Sequence, residues 1–528
     1  MKILPSILNA VSKLLDRKSS GNGTAHSGPE LKAAMDDSLR MQELLQHFAG
    51  ADGLSARAAA NSRVRKNVRE KVRFERSQNS YLSGMLLTAS NYLIGTGPKL
   101  QMTMLGPNGR IDRASNRKIE QDWARWSRRI RFGEKLRTLV VAKKGDGEGF
   151  GVMTYNPAVG DDTGIPLDMT LVECDQMEDL TLASMVDPYG AGGIVFDEYD
   201  NPVKYPLMDY HPGDDFWWQN ISIEPKWLNR DFVVHLFRKD RPGQRRGVSE
   251  WLPAMPLFAL YRRMTLATVG NIETSASLSA VMESDAEYDE NGKSITPWGT
   301  DDWFQSFPIV RRMIMSLPAG AKLNQFKSSQ PNSEYDAFCR SLLREIARCT
   351  GMPYNIAAGD SSSYNYSSGR LDHQSFFLSN RVEVTDIEAE CVERVFDRWL
   401  RIRASRESGI APTDIDTSLY SHQWVWDGLE HVDPLKEANA SAVKLANGIT
   451  TRGREYFRQG VDIDDVDERA AEELGFNSVQ EYRQAIAAHI FGKVADQANS
   501  VQRPDSVPTR RDVMSMVEEA IEELSLSK

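Results

Sequence analysis

The chain has 528 residues, of which 41% are hydrophobic and 9% aromatic, and its formal net charge is −10. This length is too great for one ordinary hydrophobic core and predicts about three or four compact units. No apolar run approaches the roughly 20 residues that span a bilayer, and the four cysteines form no CxxC pair, so the sequence argues against a membrane span, a zinc knuckle and a disulfide framework and predicts an intracellular protein.

Charge is unevenly distributed along the chain. Residues 57–131 carry 17 Lys and Arg against 5 Asp and Glu, whereas residues 430–528 carry 12 against 19. The basic block indicates either solvated helix faces and salt bridges to other subunits, or contact with nucleic acid. Because phosphate neutralisation dominates affinity for DNA, a chain that is acidic overall is not expected to bind DNA tightly.

The N-terminal half combines helices with a mixed strand region. The linker Ser19–Pro29 predicts that the first residues form a mobile arm. Residues Arg57–Ile94 predict one long helix that ends at Gly95, and Lys99–Met104 alternates like a strand. A second amphipathic helix follows, because four apolar side chains fall on one stripe; they are Ile119, Trp123, Trp126 and Ile130. Strands are predicted between about 148 and 237, including a hairpin that turns at Asp200–Pro202 and a buried strand at Phe232–Phe237.

In the middle of the chain, two helical patterns bracket an insert. The first starts at Ser249 and runs for about seven turns. The insert covers roughly 278–330 and contains the exposed-looking aromatic and acidic group Trp298, Asp301, Asp302, Trp303 and Phe304. The second helix, Glu334–Gly351, carries Arg340, Arg344 and Arg348 four residues apart, which we call the arginine face. Such a face is typical of solvated or salt-bridged surfaces, but it could also meet phosphate.

The arginine face leads directly into a polar segment, Gly351–Arg370, that is rich in Gly, Ser, Asn and Tyr. Residues of these types satisfy backbone groups locally, and loops held between rigid helices are where function concentrates. A further helical pattern, Leu371–Arg403, follows. We therefore interpret Gly351–Arg370 as a functional loop.

Enzyme motifs are absent from the sequence. The only Gly-Lys-Ser, at 292–294, has Glu287 where a phosphate-binding loop needs glycine, and no HExxH or GxSxG is present. Gly145–Gly149 lacks the acidic alternation of a calcium site and indicates a flexible turn instead. His373 is interpreted as a packed or surface residue, and the spacing of Asp360 and Asp372 does not support a two-metal centre. The sequence predicts no catalytic residue, metal or cofactor.

Seven short motifs, collinear between about residues 85 and 460, resemble those of one family. They are Asn91–Leu100, Gly145–Phe150, Val234–Ser249, Leu317–Gly320, Ile346–Tyr354, Asn365–Arg370 and Asp433–Ala438. In these motifs the chain is similar to the lambda-type portal proteins of tailed bacteriophages. It departs from their pattern at Ala319 and Ala321, where Pro and Glu are expected, and at Asn355, where relatives tend to carry Glu.

The resemblance implies an α+β, mainly helical protomer with wing, stem, clip and crown regions, in a ring of about twelve subunits around a central channel. The implied regions are 1–54 flexible N-terminal arm, 55–248 wing, 249–277 first stem helix, 278–332 clip, 333–352 second stem helix, 353–370 tunnel loop, 371–429 tunnel helix and return to the wing, 430–500 helical crown and 501–528 C-terminal tail.

The resemblance also implies a function. The ring would occupy one capsid vertex of the virion, after assembly in the host cytoplasm, and conduct double-stranded DNA during packaging and ejection. The tunnel-loop residues expected to face DNA without reading sequence are Asp360, Ser362, Tyr364, Asn365, Tyr366 and Arg370, with the arginine face as a basic rung. The clip group Trp298–Phe304 is expected to meet the terminase large subunit and the head-tail connector or completion protein. Major capsid and scaffold proteins are further expected partners.

Other classes remain open at this point. A minor capsid or scaffold protein would also be acidic, helical and oligomeric, but it would lack a channel. A packaging nuclease or ATPase would need a metal or nucleotide site. A non-viral DNA-bridging protein would bind DNA tightly and with a steep dependence on salt.

Overall fold

A computed structural model describes the chain over residues 53–107, 109, 111–178, 192–214, 225–277, 281–284, 290, 321–324, 333–362, 364–428 and 434–488. A compact unit begins at Ala56. Its helices outweigh its short strands, so the prediction of an α+β, mainly helical protein is confirmed. Within the described ranges, no helix has the length and apolar character needed to cross a membrane.

The helices are numbered in chain order. They are α1 Ala56–Ala59, α2 Ser62–Gln78, α3 Ser80–Ile94, α4 Arg113–Arg129, α5 Phe132–Gly145, α6 Pro157–Thr163, α7 Met255–Ser277, α8 Ser333–Arg348, α9 Tyr354–Ala358, α10 Tyr366–Ile387, α11 Glu393–Ser408, α12 Pro434–Ala446, α13 Arg452–Arg458 and α14 Ile463–Glu473. The strands are β1 Lys99–Met102, β2 Glu148–Tyr155, β3 Leu167–Val172, β4 Val195–Phe196, β5 Pro202–Leu207, β6 Lys226–Asn229, β7 Val233–Phe237, β8 Val281–Ser284, β9 Ala321–Asn324 and β10 His422–Val425.

The described strands pair into four small antiparallel sheets, with orders β1-β10, β3-β2-β7, β4-β5-β6 and β8-β9. In the second sheet, Phe150 of the central strand β2 lies opposite Val172 on one side and His235 on the other. The predicted strands at Lys99 and Phe232–Phe237 are confirmed as β1 and β7. The predicted hairpin is also present, because β4 and β5 pair across a turn in which Asp200 has φ 69°.

The single helix predicted from Arg57 to Ile94 is wrong, because the helix is interrupted at Asn79. This residue has extended backbone, with φ −126° and ψ 115°, and its side chain accepts a hydrogen bond from the amide of Tyr81 at 2.9 Å. Asn is a favoured first residue of helices because its side-chain oxygen satisfies an otherwise free amide. Asn79 therefore ends α2 and begins α3, and a continuous apolar pattern did not reveal this break.

The first hydrophobic core surrounds helix α4. The predicted stripe of Ile119, Trp123, Trp126 and Ile130 is confirmed, because all four side chains are buried. The ring of Trp123 lies edge-on to Trp399 of α11, with 5.2 Å between ring centres, a geometry that aromatic pairs prefer. The N- and C-terminal parts of the described chain therefore share this core.

The second hydrophobic core holds the inner ends of α7 and α8. Its buried members are Val68, Val72, Leu82, Met85, Leu86, Ala89, Trp251, Ala254, Phe258, Leu343, Ile346, Ala347, Met352, Tyr354, Ala357 and Phe376. The helix predicted from Ser249 opens with a 3-10 turn at Leu252–Ala254 and is α-helical only from Met255. Pro253 lies in that opening turn, where its missing N–H removes no helical hydrogen bond. The N-terminal part of α7 and the C-terminal part of α8 therefore pack in the same core.

The helix predicted at Leu371–Arg403 is present but differs in two respects. It begins earlier, at Tyr366, and a π-helical turn at Glu388–Val392 separates α10 from α11. On its C-terminal side the side chains of Val395 and Trp399 are buried in the first core, whereas Leu378 on α10 is exposed. The π turn therefore lies where a largely exposed helix enters the core.

The prediction of a flexible turn at Gly145–Gly149 is wrong. Glu148 is completely buried, and both of its carboxylate oxygens accept hydrogen bonds from Arg246 Nε at 2.9 Å. Burial alone would raise the pKa of Glu148, but the charge of Arg246 outweighs it and holds that pKa well below its usual range. Gly147 has φ 96°, and a Cβ there would lie 2.6 Å from the amide nitrogen of Ser249, so the turn is fixed and requires glycine.

Two arginines of the basic block are buried and ion-paired within the chain. Arg65 and Arg69 are each only 2% exposed. Arg65 Nη2 lies 2.9 Å from Glu178 Oε1, and Arg69 Nη2 lies 2.7 Å from Asp175 Oδ1. For these two residues the interpretation as solvated, intersubunit or nucleic-acid contacts is wrong, because a buried charge persists only beside a partner. The partners are more than a hundred residues away, so local spacing could not identify them.

Candidate nucleic-acid interface

The arginine face of α8 is partly paired within the chain. Arg340 Nη2 lies 3.0 Å from Asp336 Oδ2, one helical turn earlier. The guanidinium of Arg344 lies over the ring of Tyr354, 5.2 Å from its centre. Arg348 is exposed and makes no ion pair or side-chain hydrogen bond with the described residues. The three arginines share one side of the helix, but they do not share one environment.

The loop expected at 353–370 is shorter than predicted. Helix α9 occupies Tyr354–Ala358, and α10 already begins at Tyr366. Tyr354 and Ala357 are buried in the second core, which accounts for the helix, and Gly359 ends it with φ 66°. The expected loop is thereby corrected to Gly359–Asn365, which we call the polar loop.

Hydrogen bonds fix both ends of the polar loop. The side chain of Asn365 accepts from the amide of Ser368 at 2.8 Å and caps α10. The side chain of Asn355 on α9 lies 2.9 Å from His373 Nε2 on α10. The interpretation of His373 as a packed residue is confirmed, since its ring is also edge-on to Phe377. The polar loop is therefore short, and a hydrogen bond joins the two helices that flank it, α9 and α10.

Within the polar loop, Asp360 is held by a local hydrogen bond. Its Oδ1 accepts from the amide of Ser362 at 2.9 Å. Hydrogen bonds from Ser362 hold the pKa of Asp360 below its usual range, and the charge of Arg340 and the hydroxyl of Tyr354 act in the same direction. The carboxyl of Asp360 is therefore fixed within the polar loop itself.

Tyr364 is folded back onto the protein. It packs against the second core. Burial raises the pKa of its hydroxyl, and the nearby carboxylate of Asp372 adds to the increase, while a hydrogen bond to the backbone of Asn355 opposes it. Tyr364 therefore closes the polar loop and does not extend from it.

The structure brings together some of the predicted residues. Arg344 of the arginine face contacts Tyr354, at the start of the predicted tunnel loop. Arg370 lies on α10 and is exposed, without an ion pair in the described part of the chain. The side chain of Tyr366 lies outside the described residues, as do Trp298, Asp301, Asp302, Trp303 and Phe304.

Two residues of the candidate site, Asp336 and Tyr354, were not identified from the sequence. Asp336 precedes Arg340 by four residues, and this spacing could have identified the pair. Tyr354 follows a proline at the end of a helix, and no local signal indicates that its ring lies beneath Arg344.

A buried ion cluster holds α10 against the start of α7. Lys144 Nζ lies 2.9 Å from Glu383 on α10 and 3.1 Å from Glu250, just before α7. Lys143 is also paired with Glu383. Burial opposes the charged form, but Lys144 and Lys143 together lower the pKa of Glu383. Because these charges are largely buried, the cluster fixes the orientation of α10.

Among the described residues, one group could offer a metal ion three ligands. Glu173, Asp175 and His211 bring ligand atoms within 4.8 Å of one another. However, the guanidinium of Arg73 lies 2.9 Å from Glu173 Oε2 and 3.0 Å from Asp175 Oδ2. Arg73 already supplies the positive charge that these carboxylates need, so the group does not fit a cation.

Comparisons with known proteins agree on one family. Residues 48–380 match the family model described as phage portal protein, lambda family. Curated relatives include a probable portal protein of Halomonas phage phiHAP-1, 25% identical over 58% of this chain and 58% of that protein, and the portal protein of Escherichia phage N15, 22% identical over 74% and 80%. The match thus spans about 58% of the length of the Halomonas phage protein.

Solved structures were compared as well. The neck of a native gene transfer agent particle, computed with C12 symmetry, is 13% identical over 74% of this chain and 94% of its own, with a TM-score of 0.40. An HK97 family phage portal protein from Corynebacterium diphtheriae is 10% identical over 67% and 94%, with a TM-score of 0.26. The family model covers well over half of the sequence. The chain belongs to the lambda family of phage portal proteins.

Proposed function

We propose that the chain is the subunit of a portal ring of about twelve copies. The ring lies at one capsid vertex of the virion and conducts double-stranded DNA during packaging and ejection. It also serves as the docking platform for the terminase large subunit and the head-tail connector. Its role is structural, and the motor chemistry belongs to its partners.

Uncovered apolar side chains on α7 carry the proposal. Leu260 is 52% exposed and Val269 is 46% exposed. These residues are nine positions apart, which places them about 180° apart around a helix. Leu266 and Ile272 are likewise exposed. Apolar groups on opposite flanks suit a helix with one neighbour on each side, as in a closed ring, whereas a two-fold dimer would need one such surface.

Helix α10 adds a further uncovered stripe. Leu371, Leu378 and Val382 are each more than 60% exposed. Their spacings of seven and eleven residues place them on one line, roughly opposite the side on which Phe376 is buried. A second copy of this chain is the occupant that we assign to this stripe, because each subunit then supplies both contacting surfaces.

The regional assignments follow from the same proposal. We assign α7 and α8 to the stem, residues 55–248 to the wing, residues 371–429 to the tunnel helix and return to the wing, and residues 430–500 to the crown. The clip assignment at 278–332 is supported by the pairing of β8 with β9, since Val281 lies opposite Asn324 and the two ends of the insert meet. We propose the group Trp298–Phe304 within this insert as the surface for the terminase and the connector.

DNA contact is assigned to the polar loop and the arginine face. Arg348 of the arginine face and Arg370, five residues after the polar loop, are exposed, and neither is ion-paired with the described residues. Arginine contacts to phosphate carry no sequence information. Weak contacts of this kind hold a moving duplex in the channel without stalling it.

The test is native mass spectrometry of the purified protein combined with electron microscopy. We expect rings of about twelve copies with an axial opening that admits a DNA duplex. A defined small oligomer without an opening would contradict the proposal and favour a minor capsid or scaffold protein.

A further inference from the structure

One cation of the arginine face already has a carboxylate partner. Arg340 is 3.0 Å from Asp336 on its own helix. Arg348, two turns further along α8, has no such partner among the described residues. One arginine is therefore neutralised and another on the same side is free.

An intramolecular carboxylate competes directly with a DNA phosphate for a guanidinium. A phosphate that binds Arg340 Nη2 must displace Asp336, so this carboxylate subtracts its own attraction from the affinity for DNA. An exposed pair one helical turn apart changes such an equilibrium by about two-fold. The effect is small for each subunit, but it is repeated wherever a subunit meets the duplex.

We propose that Asp336 is an intramolecular competitor that keeps Arg340 from holding a DNA phosphate tightly. This inference rests on the proposed function, because it assumes that the arginine face meets DNA. It assigns Asp336 a role opposite to that of a binding residue. Arg348 supplies the main phosphate contact, and Arg340 contributes less.

The stacking of Arg344 on Tyr354 supports this division. Tyr354 is buried in the second core, so its ring cannot follow a moving ligand. Arg344 is thereby occupied by an aromatic face. Arg340 and Arg344 thus both have intramolecular partners, and Arg348 has none among the described residues.

The experiment measures binding of a fluorescent DNA duplex to the full-length protein in its native oligomeric state, across a salt series. The variant is Asp336→Asn, because Asn keeps the hydrogen-bonding oxygen and removes the charge. The control is Glu70→Gln, which removes one negative charge in the same way from the exposed side of α2. Glu70 has no ion pair among the described residues.

We expect Asp336→Asn to bind DNA about two-fold more tightly per contacting subunit and to show a steeper dependence on salt, since a freed cation releases one more counterion. Near 0.15 M salt, Glu70→Gln is expected to change affinity little, because charges beyond about 8 Å are screened. Adding Arg340→Ala to Asp336→Asn should abolish the gain, which a double-mutant cycle measures.

The outcomes separate the two claims. If the wild type binds DNA and Arg348→Ala weakens binding, but Asp336→Asn behaves like Glu70→Gln, the competitor role is wrong and the proposed function stands. If no variant binds DNA even at low salt, and Arg348→Ala has no effect, both proposals are overturned.

Discussion

The guanidinium of Arg344 lies 5.2 Å from the ring centre of Tyr354, so the last turns of α8 and the first residue of α9 are held together. Tyr354 is 7% exposed and belongs to the second core. Helix α9, which leads into the polar loop, therefore starts at a buried aromatic residue, and its position relative to the arginine face is set by core packing.

Truncation of Tyr354 tests this anchoring. Tyr354→Ala removes a buried aromatic side chain, and we expect it to lower the free energy of unfolding by about 3 kcal/mol or more. Tyr354→Phe keeps the ring under Arg344 and removes only the hydroxyl that acts on Asp360, so stability should change by less than about 1 kcal/mol. Urea denaturation of both variants measures these changes in the free energy of unfolding. Equal losses in the two variants would show that the ring is not the anchor.

The buried carboxylate Glu148 provides a second prediction. Glu148→Gln removes the carboxylate that lies 2.8 Å from Arg246 Nη2 in the interior, and we expect the free energy of unfolding to fall by about 3 to 5 kcal/mol. The matched control is Glu70→Gln on the exposed side of α2, where surface substitutions change stability by about 0.5 kcal/mol or less. Identical denaturation midpoints for the two variants would contradict the assigned role of Glu148.

The raised pKa of Glu120 predicts that folding stability depends on pH. Burial and the carboxylates of Asp462, Asp465 and Asp464 raise the pKa of Glu120 to about 7. Between its ordinary value near 4.5 and about 7, the folded state keeps a proton that the unfolded state loses, so folding stability falls as pH rises through this window.

Glu120→Gln removes that titration. At pH 8 we expect the variant to be more stable than the wild type by about 1 kcal/mol, after allowance for partial exposure. Near pH 4 the difference should disappear, because Glu120 is then largely protonated in both states. Denaturation curves at the two pH values test this. A constant difference between pH 4 and pH 8 would rule out the titration of Glu120 as its source.

Charged residues placed on the exposed sides of α7 are expected to prevent ring assembly without destabilising the fold. Leu260→Asp and Val269→Asp each place a charge on a surface that is assigned to a neighbouring copy. We expect rings to be lost in native mass spectra, since an unpaired charge at such a contact is strongly unfavourable. The free energy of unfolding of the isolated protomer should stay within about 0.5 kcal/mol of the wild-type value, because both side chains are exposed. Normal rings from both variants would remove α7 from the interface.

Much of the fold could be predicted from sequence where one periodic pattern dominated. The stripe through Trp123 and Trp126, the strand at Lys99 and the two long helices all follow from apolar spacing. The break at Asn79 could not be found in this way, because a capping side chain interrupts the backbone without interrupting the pattern.

The candidate site was harder to predict because its main contacts are long-range or mixed. The i to i+4 pairing of Asp336 with Arg340 was available from spacing. The burial of Glu148 beside Arg246 joins residues 98 positions apart, and glycine-rich spacing alone indicated mobility instead. Likewise, a polar composition predicted one long loop, whereas burial of Tyr354 and Ala357 in the second core makes part of it helical.

We propose that the polar loop and the arginine face line a DNA channel. Electron cryomicroscopy of the assembled ring tests this assignment most directly. We expect a closed ring in which residues 359–365 face the axis and Arg348 is exposed to the opening. A ring in which this loop is buried between subunits, or faces the outer surface, would contradict the assignment.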